Sequence, residues 1–316
     1  MKDTLLEVKD LKKYYKAGKG RLLKALDGVS FSIAGGQTFG LVGESGCGKT
    51  TCGRTAIGLL EKSGGMARYR GKDVHAMTGP EKKALSREAQ IIFQDPYASL
   101  DPRMTIMDIV AEGLDLHRLA GSAHERRDRV FDLLRMVGLN REHAGRYAHE
   151  LSGGQRQRIG IARALAVNPR FILCDEPISA LDVSVQAQIV NLLMELQQEM
   201  GLTYLFISHD LAMVKYISDA AAVMYLGVMV EMSAAPELYA HPAHPYTKAL
   251  LSAIPDPEFS AGRERIRLAG EAPNPVDPPP RCRFYGRCPL ASSVCGGPAP
   301  ELREIAPGHY AACHRI

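Results

Sequence analysis

The sequence predicts an α/β fold built on a parallel sheet, with a helical subdomain inserted into it and a small Cys-rich tail at the carboxyl end. Three observations carry this. Apolar runs at 38–42, 171–174 and 204–207 show no alternation, as expected of strands buried on both faces of a parallel sheet. From about 98 to 168 one helical pattern follows another with no strand between, as in a helical lobe set between two sheet strands. After residue 254 the chain turns to Pro, Gly, Arg and Cys with little periodicity. The expected division is therefore a main domain over 1–254, with its helical subdomain at about 98–168, and a C-terminal region over 255–316.

With 316 residues, 46% of them hydrophobic, the chain has ample material for a core. Its 39 basic and 35 acidic residues are too balanced to favour nucleic acid by bulk electrostatics. The opening MKDTLLEVKDLKKYY is charged throughout and lacks the apolar region of a signal peptide. The longest apolar run, Ala220 to Val230, falls well short of the ~20 residues that a spanning helix needs. A cytosolic chain that meets a membrane only through partners is expected.

In chain order, strands are expected at Val29–Ile33, Thr38–Val42, Gln90–Phe93, Phe171–Cys174, Tyr204–Ile207 and Ala221–Met232. Helices are expected at Thr50–Leu60, Ile106–Leu119, Glu125–Val137, Gly153–Ala166, Val185–Met200 and Ala212–Ser218.

The first strand–helix junction carries "LVGESGCGKTT", 41–51, which fits G-x-x-x-x-G-K-[ST] with Gly43, Gly48, Lys49 and Thr50. Glycines let the backbone curl so that its amides point inward at phosphate oxygens, and the helix amino terminus adds a favourable dipole. A nucleotide cradle is expected from Gly43, Glu44, Ser45, Gly46, Cys47, Gly48, Lys49, Thr50 and Thr51. Lys49 reaches the β/γ-phosphates and the Thr50 hydroxyl ligates Mg²⁺. A bare Gly-rich turn is the competing reading, and the strand–loop–helix context argues against it. Cys47 is open to two readings: a thiol of lowered pKa at a helix amino terminus, or a small residue that fits the loop. Cys52 and Cys174 read as buried small apolar residues.

The strand "FILCDEP", 171–177, ends in two acids. Asp175 is placed to hold Mg²⁺, and Glu176, one residue on, to take the proton from an attacking water. Just upstream of that strand lies "LSGGQRQRIGIARAL", 151–165. Here Ser152 caps an amphipathic helix whose first amides, at Gly153 and Gly154, are bare, which makes a second anion site. One nucleotide does not need two such sites on one chain, so the second is expected to serve the nucleotide of another chain.

With these three motifs in order, the chain resembles the nucleotide-binding subunits of ABC transporters, whose LSGGQ element closes over the facing subunit's P-loop. The resemblance extends over positions 1–250. It implies a P-loop NTPase fold of ABC type and assigns Ser152, Gly153, Gly154 and Gln155 to the signature. Gln94, in "IIFQDPYASLDPR", matches the Q-loop residue that senses Mg²⁺ and the γ-phosphate. Asp182, in "SALD", matches the D-loop acid at the dimer interface, and His209, in "FISHD", the switch histidine on the γ-phosphate. Tyr15 matches the aromatic that stacks on adenine, with Tyr14 as the alternative.

"VGESGCGKTT", "EPISALDVSVQAQIVNLL", "FISHDLAMVKYISD" and "HPYTKALLSAIP" are most similar to ATPases of dipeptide and oligopeptide importers. That resemblance implies ATP and Mg²⁺ as ligands and a paralogous ATPase as partner, in a heterodimer rather than a homodimer. It also implies two transmembrane permease subunits and, indirectly, an extracytoplasmic peptide-binding protein. The location implied is peripheral, on the cytoplasmic face of the membrane. Relatives with this tail also import nickel, glutathione or antibiotic peptides. Two rivals fit less well. Soluble ABC ATPases of DNA repair or translation usually carry two ATPase halves or a long coiled-coil insertion. A redox or nucleic-acid module on the tail would want a basic, aromatic face.

The tail holds Cys282, Cys288, Cys295 and Cys313, spaced C-x₅-C-x₆-C-x₁₇-C. This is neither the C-x₂-C pair of a zinc ribbon nor a common ferredoxin run. A reducing cytosol disfavours disulfides, and thiolate ligation of a metal is favoured over four unpaired structural thiols this close together. Resemblance to importer ATPases with a cysteine-bearing tail implies a [4Fe–4S] cluster, with Zn²⁺ as the alternative.

Overall fold

The computed structural model describes residues 3–254, 265–268, 270–271 and 273–316. Residues 255–264, 269 and 272 of the expected C-terminal region lie outside the described residues. The backbone divides into two compact units, Met1–Ala76 with Ile207–Ile316, and Met77–Phe206.

The first unit opens with β1 (Thr4–Lys16) and β2 (Leu22–Ala34), followed by β3 (Thr38–Val42), α1 (Lys49–Ala56), β4 (Gly64–Tyr69) and β5 (Lys72–Asp73). Four of these strands form an antiparallel sheet in the order β2-β1-β4-β5. The sequence predicts no strand at β1, because its many charges mask a short alternation. Leu6 and Val8 point into the core, and a bulge near Asp10, at φ 48°, turns Leu11 to the same side. Helix α1 stops at Ala56 instead of the expected Leu60, and Gly58 follows at φ 78°.

The second unit contains α2 (Gly79–Glu88), β6 (Ala89–Ile92), α3 (Ile106–Leu116), α4 (Ala123–Met136), α5 (Gly153–Leu165), β7 (Phe171–Asp175), α6 (Val183–Met200) and most of β8 (Thr203–Ser208). Its strands lie in the order β8-β7-β6, and β6 runs parallel to β7 with Ala89 beside Phe171 and Ile92 beside Cys174. All of β7 and β8 is buried, which is why neither shows alternation. Between β6 and β7 the chain is helical. Thr105 caps α3, Ser122 caps α4, and Arg126 of α4 bridges Asp108 and Asp115 of α3 at 3.1 and 2.8 Å.

The chain then returns to the first unit with α7 (Leu211–Ile217), β9 (Ala220–Tyr225), β10 (Val228–Ala234), α8 (Ala235–Ala240), α9 (Pro245–Ser252), β11 (Arg303–Ala306) and β12 (His309–Ala311). Here the order is β11-β12-β10-β9-β3, with β3 parallel to β9 and the other pairs antiparallel. The single strand expected at Ala221–Met232 is a hairpin. Leu226 and Gly227 both take positive φ, 44° and 80°, and reverse the chain in the sense that a two-residue hairpin requires. Leucine gives no turn signal, so the reversal was invisible in an unbroken apolar run. No helix among the described residues is long and apolar enough to cross a membrane.

Candidate functional site

In the first unit, the fully buried β3 delivers the chain to the loop at Gly43. A Cβ on Gly43 would stand 2.3 Å from the Met224 carbonyl oxygen, and one on Gly48, at φ 105°, 2.3 Å from that of Ala25. Only glycine fits where the backbone packs this closely. Lys49, 4% exposed, folds back over the loop and donates from Nζ to the carbonyls of Gly43 at 2.8 Å and Glu44 at 3.2 Å. Thr50 and Thr51 complete the first turn of α1, which contains no acidic residue to offset the helix-terminal field. A backbone-lined loop, a buried ammonium lying across it and an unopposed helix amino terminus fit a polyphosphate bound with Mg²⁺. Cys47 is buried against Gly43, so its packing favours the residue that fits the loop over an accessible thiol. Burial pushes the Cys52 thiol up to about 12, in keeping with an inert core cysteine.

Two tyrosines competed for the adenine role, and their surroundings differ. The Tyr14 hydroxyl bonds Asp27, whose carboxylate also pairs with Lys24 and Arg283. Burial first, then Asp27, raises the Tyr14 phenol well above its usual range. Tyr15 is 39% exposed, with the Lys13 ammonium 4.9 Å from its ring centre. His209 is exposed directly after β8, ahead of α7, where Asp210 caps the amides of Ala212 and Met213.

The acid pair lies in the second unit. Asp175 closes β7 and is fully buried, whereas Glu176 takes a left-handed φ of 49°. Non-glycine residues rarely adopt that region, and they cluster there at functional sites. Gln94 donates from Nε2 to Glu176 Oε2 at 3.1 Å, joining two predicted site residues 82 positions apart. Thr50 and Asp175, both expected on Mg²⁺, fall in different units.

The signature starts α5. Ser152 and Gln155 form a reciprocal cap, each side chain bonding the other's amide, at 3.3 and 3.0 Å. A Cβ on Gly154 would meet Val185 of α6 at 2.6 Å, so the close helix approach requires the glycine. Asp182 is exposed at the start of α6, and its side chain makes no capping hydrogen bond.

Several contacts of the C-terminal region escaped the sequence reading. The Tyr246 hydroxyl accepts from the Glu44 amide at 3.0 Å, and Arg287 forks onto the Glu44 carboxylate at 2.8 and 3.1 Å. Tyr225, Tyr246 and Phe284 pack ring to ring, with centres 4.7 to 5.3 Å apart. Fully buried Glu231 accepts from the amides of Ala243 and His244 and meets His309 Nε2 at 2.8 Å. The four tail cysteines are free thiols. Burial raises Cys282, and the nearby Cys295, Cys313 and Cys288 add to that rise. Their donor chemistry suits thiolate ligation. Even so, among the described residues no group of three or more His, Cys, Asp or Glu side chains is placed to hold a metal ion.

A strand–loop–helix phosphate cradle together with an acid pair at a buried strand end defines a P-loop ATPase. Comparison with known proteins narrows the class. Residues 26–179 match the family described as "ABC transporter", and residues 230–295 match "Oligopeptide/dipeptide transporter, C-terminal region". The chain is 54% identical to the oligopeptide transport ATP-binding protein OppF of Bacillus subtilis and 50% identical to its AppF, over 99% of this chain and 97% of each relative. Among solved structures it resembles the dimeric cassette MJ0796 bound to ADP and Pi, with TM-score 0.67, 30% identity and 73% and 99% of the two chains covered. It also resembles cbiO1 of Clostridium perfringens, part of the transporter complex cbiONQ, with TM-score 0.66, 28% identity and 76% and 92% covered. The chain belongs to the ABC transporter ATP-binding proteins, in the branch that carries the oligopeptide/dipeptide C-terminal region.

Proposed function

We propose that this chain hydrolyses ATP to energise the import of di- and oligopeptides, as one of two ATPases coupled to two transmembrane permease subunits. The observation that carries the reading is the union, in one chain, of a phosphate-fitting loop and the oligopeptide/dipeptide C-terminal region. In this reading residues 1–254 form the nucleotide-binding domain and 255–316 the importer-type tail. A helical subdomain spans about 98–168, and the permeases seat near the Q-loop at Gln94.

Lys49 and the backbone from Gly43 to Thr51 hold the phosphates, and Tyr15 stacks on adenine. Bound Mg²⁺ would neutralise charge on the phosphate oxygens. Thr50, Gln94 and Asp175 are the residues that would hold it. Glu176 takes the proton from the attacking water, steadied by Gln94, and His209 contacts the γ-phosphate. Ser152, Gly153, Gly154 and Gln155 close over the partner's nucleotide, with Asp182 at the same interface. The partner is a paralogous ATPase. A peptide-binding protein outside the membrane delivers cargo, and this chain works at the cytoplasmic face. Nickel, glutathione and antibiotic peptides are the competing cargoes.

Glu176→Gln keeps the shape of the side chain and removes the base. With its partner and saturating ATP–Mg²⁺ the variant should form a stable dimer by light scattering, and a monomer under those conditions would refute the sandwich. For Cys282, Cys288, Cys295 and Cys313 the proposed ligand is a [4Fe–4S] cluster, supported by the donor chemistry of four thiols that form no disulfide. Anaerobically purified protein should contain iron and sulfide and absorb near 400 nm. A colourless protein with stoichiometric zinc would replace the cluster by Zn²⁺.

A further inference from the structure

We propose that Arg287 is a positioning residue of the nucleotide site, which anchors and neutralises the loop carboxylate of Glu44 so that the loop accepts polyphosphate. The inference rests on the nucleotide-binding role proposed above and concerns a residue outside every motif that defined it.

Glu44 is the one acidic residue between Gly43 and Thr51. A carboxylate on a loop built for phosphate opposes the ligand's own charge unless a cation holds it. Arg287 supplies that cation in the most directional form available, with its two terminal nitrogens on the two carboxylate oxygens at 2.8 and 3.1 Å. The Arg287 side chain is 10% exposed and that of Glu44 30%, so bulk water screens the pair only in part.

The position of Arg287 is itself fixed. One terminal nitrogen lies 3.4 Å from the Tyr225 hydroxyl, and its guanidinium carbon 5.9 Å from the centre of that ring. Four residues earlier, Arg283 pairs with Asp27 of β2. The segment from Arg283 to Arg287 is thus tied at one end to a strand of the first unit and at the other to the nucleotide loop. Tyr246, from α9, holds the Glu44 amide from a separate stretch of chain. Glu44 is therefore gripped at both backbone and side chain by residues that lie 202 and 243 positions away.

The test is calorimetric titration of ATP–Mg²⁺ into the full-length chain and its variants. Arg287→Ala should weaken binding about tenfold, the scale of one charge-assisted contact. ADP should lose less, because it carries less charge. Arg287→Lys, which keeps charge but not the fork, should fall between wild type and alanine. The double variant Arg287→Ala/Glu44→Gln should recover to within about threefold of wild type, since the unpaired carboxylate is gone. His309→Gln loosens the same C-terminal region without touching the loop and should bind ATP–Mg²⁺ like wild type. Wild-type affinity in Arg287→Ala would overturn the proposal. So would a double variant as weak as Arg287→Ala, or a His309→Gln loss equal to that of Arg287→Ala. A wild-type chain that does not bind ATP–Mg²⁺ would instead overturn the nucleotide reading itself.

Discussion

Replacing Glu231 with alanine removes the acceptor at the centre of the C-terminal region. The carboxylate is fully buried and takes the amides of Ala243 at 2.6 Å and His244 at 2.8 Å, besides His309 Nε2 at 2.8 Å. Each hydrogen bond to a charged group contributes roughly 1.5–3 kcal/mol, and each buried donor left without a partner costs about 1–3 kcal/mol. Water entering the space left behind offsets part of this sum, which leaves about 4 kcal/mol of local stability at stake. That corresponds to about a thousandfold in an opening equilibrium. Hydrogen exchange resolved by segment is the assay, because a chain of two units need not unfold in one step. Protection over 241–252 and 309–312 should fall by that factor in Glu231→Ala, and less in Glu231→Gln, which keeps one acceptor. Protection within threefold of wild type in the alanine variant would refute the assignment of Glu231 as the element that joins β10, the α9 cap and β12.

Two further outcomes are expected. Gly48→Ala places a Cβ 2.3 Å from the Ala25 carbonyl oxygen in a left-handed conformation, so ATP–Mg²⁺ binding should fall below detection in titration while the circular dichroism spectrum stays that of wild type. His244 caps α9 by accepting the Tyr246 amide at Nδ1, 3.0 Å away, and burial lowers its pKa to about 4. The unfolded chain therefore takes up this proton first, and stability should fall as pH drops from about 6.5 towards 4, by about 3 kcal/mol in all. His244→Asn keeps a capping acceptor and removes the titration, so its melting temperature should lose less over that range; identical pH profiles would exclude His244 as the cause.

What could be read from the sequence was local. The buried strand Thr38–Val42, the glycines that must follow it and the acids at the end of Phe171–Asp175 each declare themselves within a few residues. The charged strand Thr4–Lys16 and the turn at Leu226 gave no such sign, because a bulge interrupts one pattern and a leucine occupies the position of a usual turn former. Gln94 and Glu176 were each marked by a motif, but neither their hydrogen bond nor the left-handed backbone of Glu176 was. Least legible were the C-terminal contacts. "HPYTKALL" and "RCRFYGRC" stood out as distinctive segments, yet nothing in either says that Tyr246 and Arg287 meet the phosphate loop more than 200 residues earlier. Periodicity cannot carry such pairings, since no helix or strand repeat relates the partners. The cysteines are the conspicuous residues of the tail, yet it is Arg287, between two of them, that contacts the nucleotide loop.

In the function proposed above, this chain turns ATP hydrolysis into peptide import. Its most direct test is peptide uptake into proteoliposomes that hold the chain with its paralogous ATPase and permease subunits, supplied with peptide-loaded binding protein outside and ATP–Mg²⁺ inside. Uptake of di- or oligopeptides should require ATP and fall at least a hundredfold with Glu176→Gln, the low end of what one general base contributes. Uptake at the wild-type rate in that variant, or uptake of nickel or glutathione with no peptide transport, would contradict it.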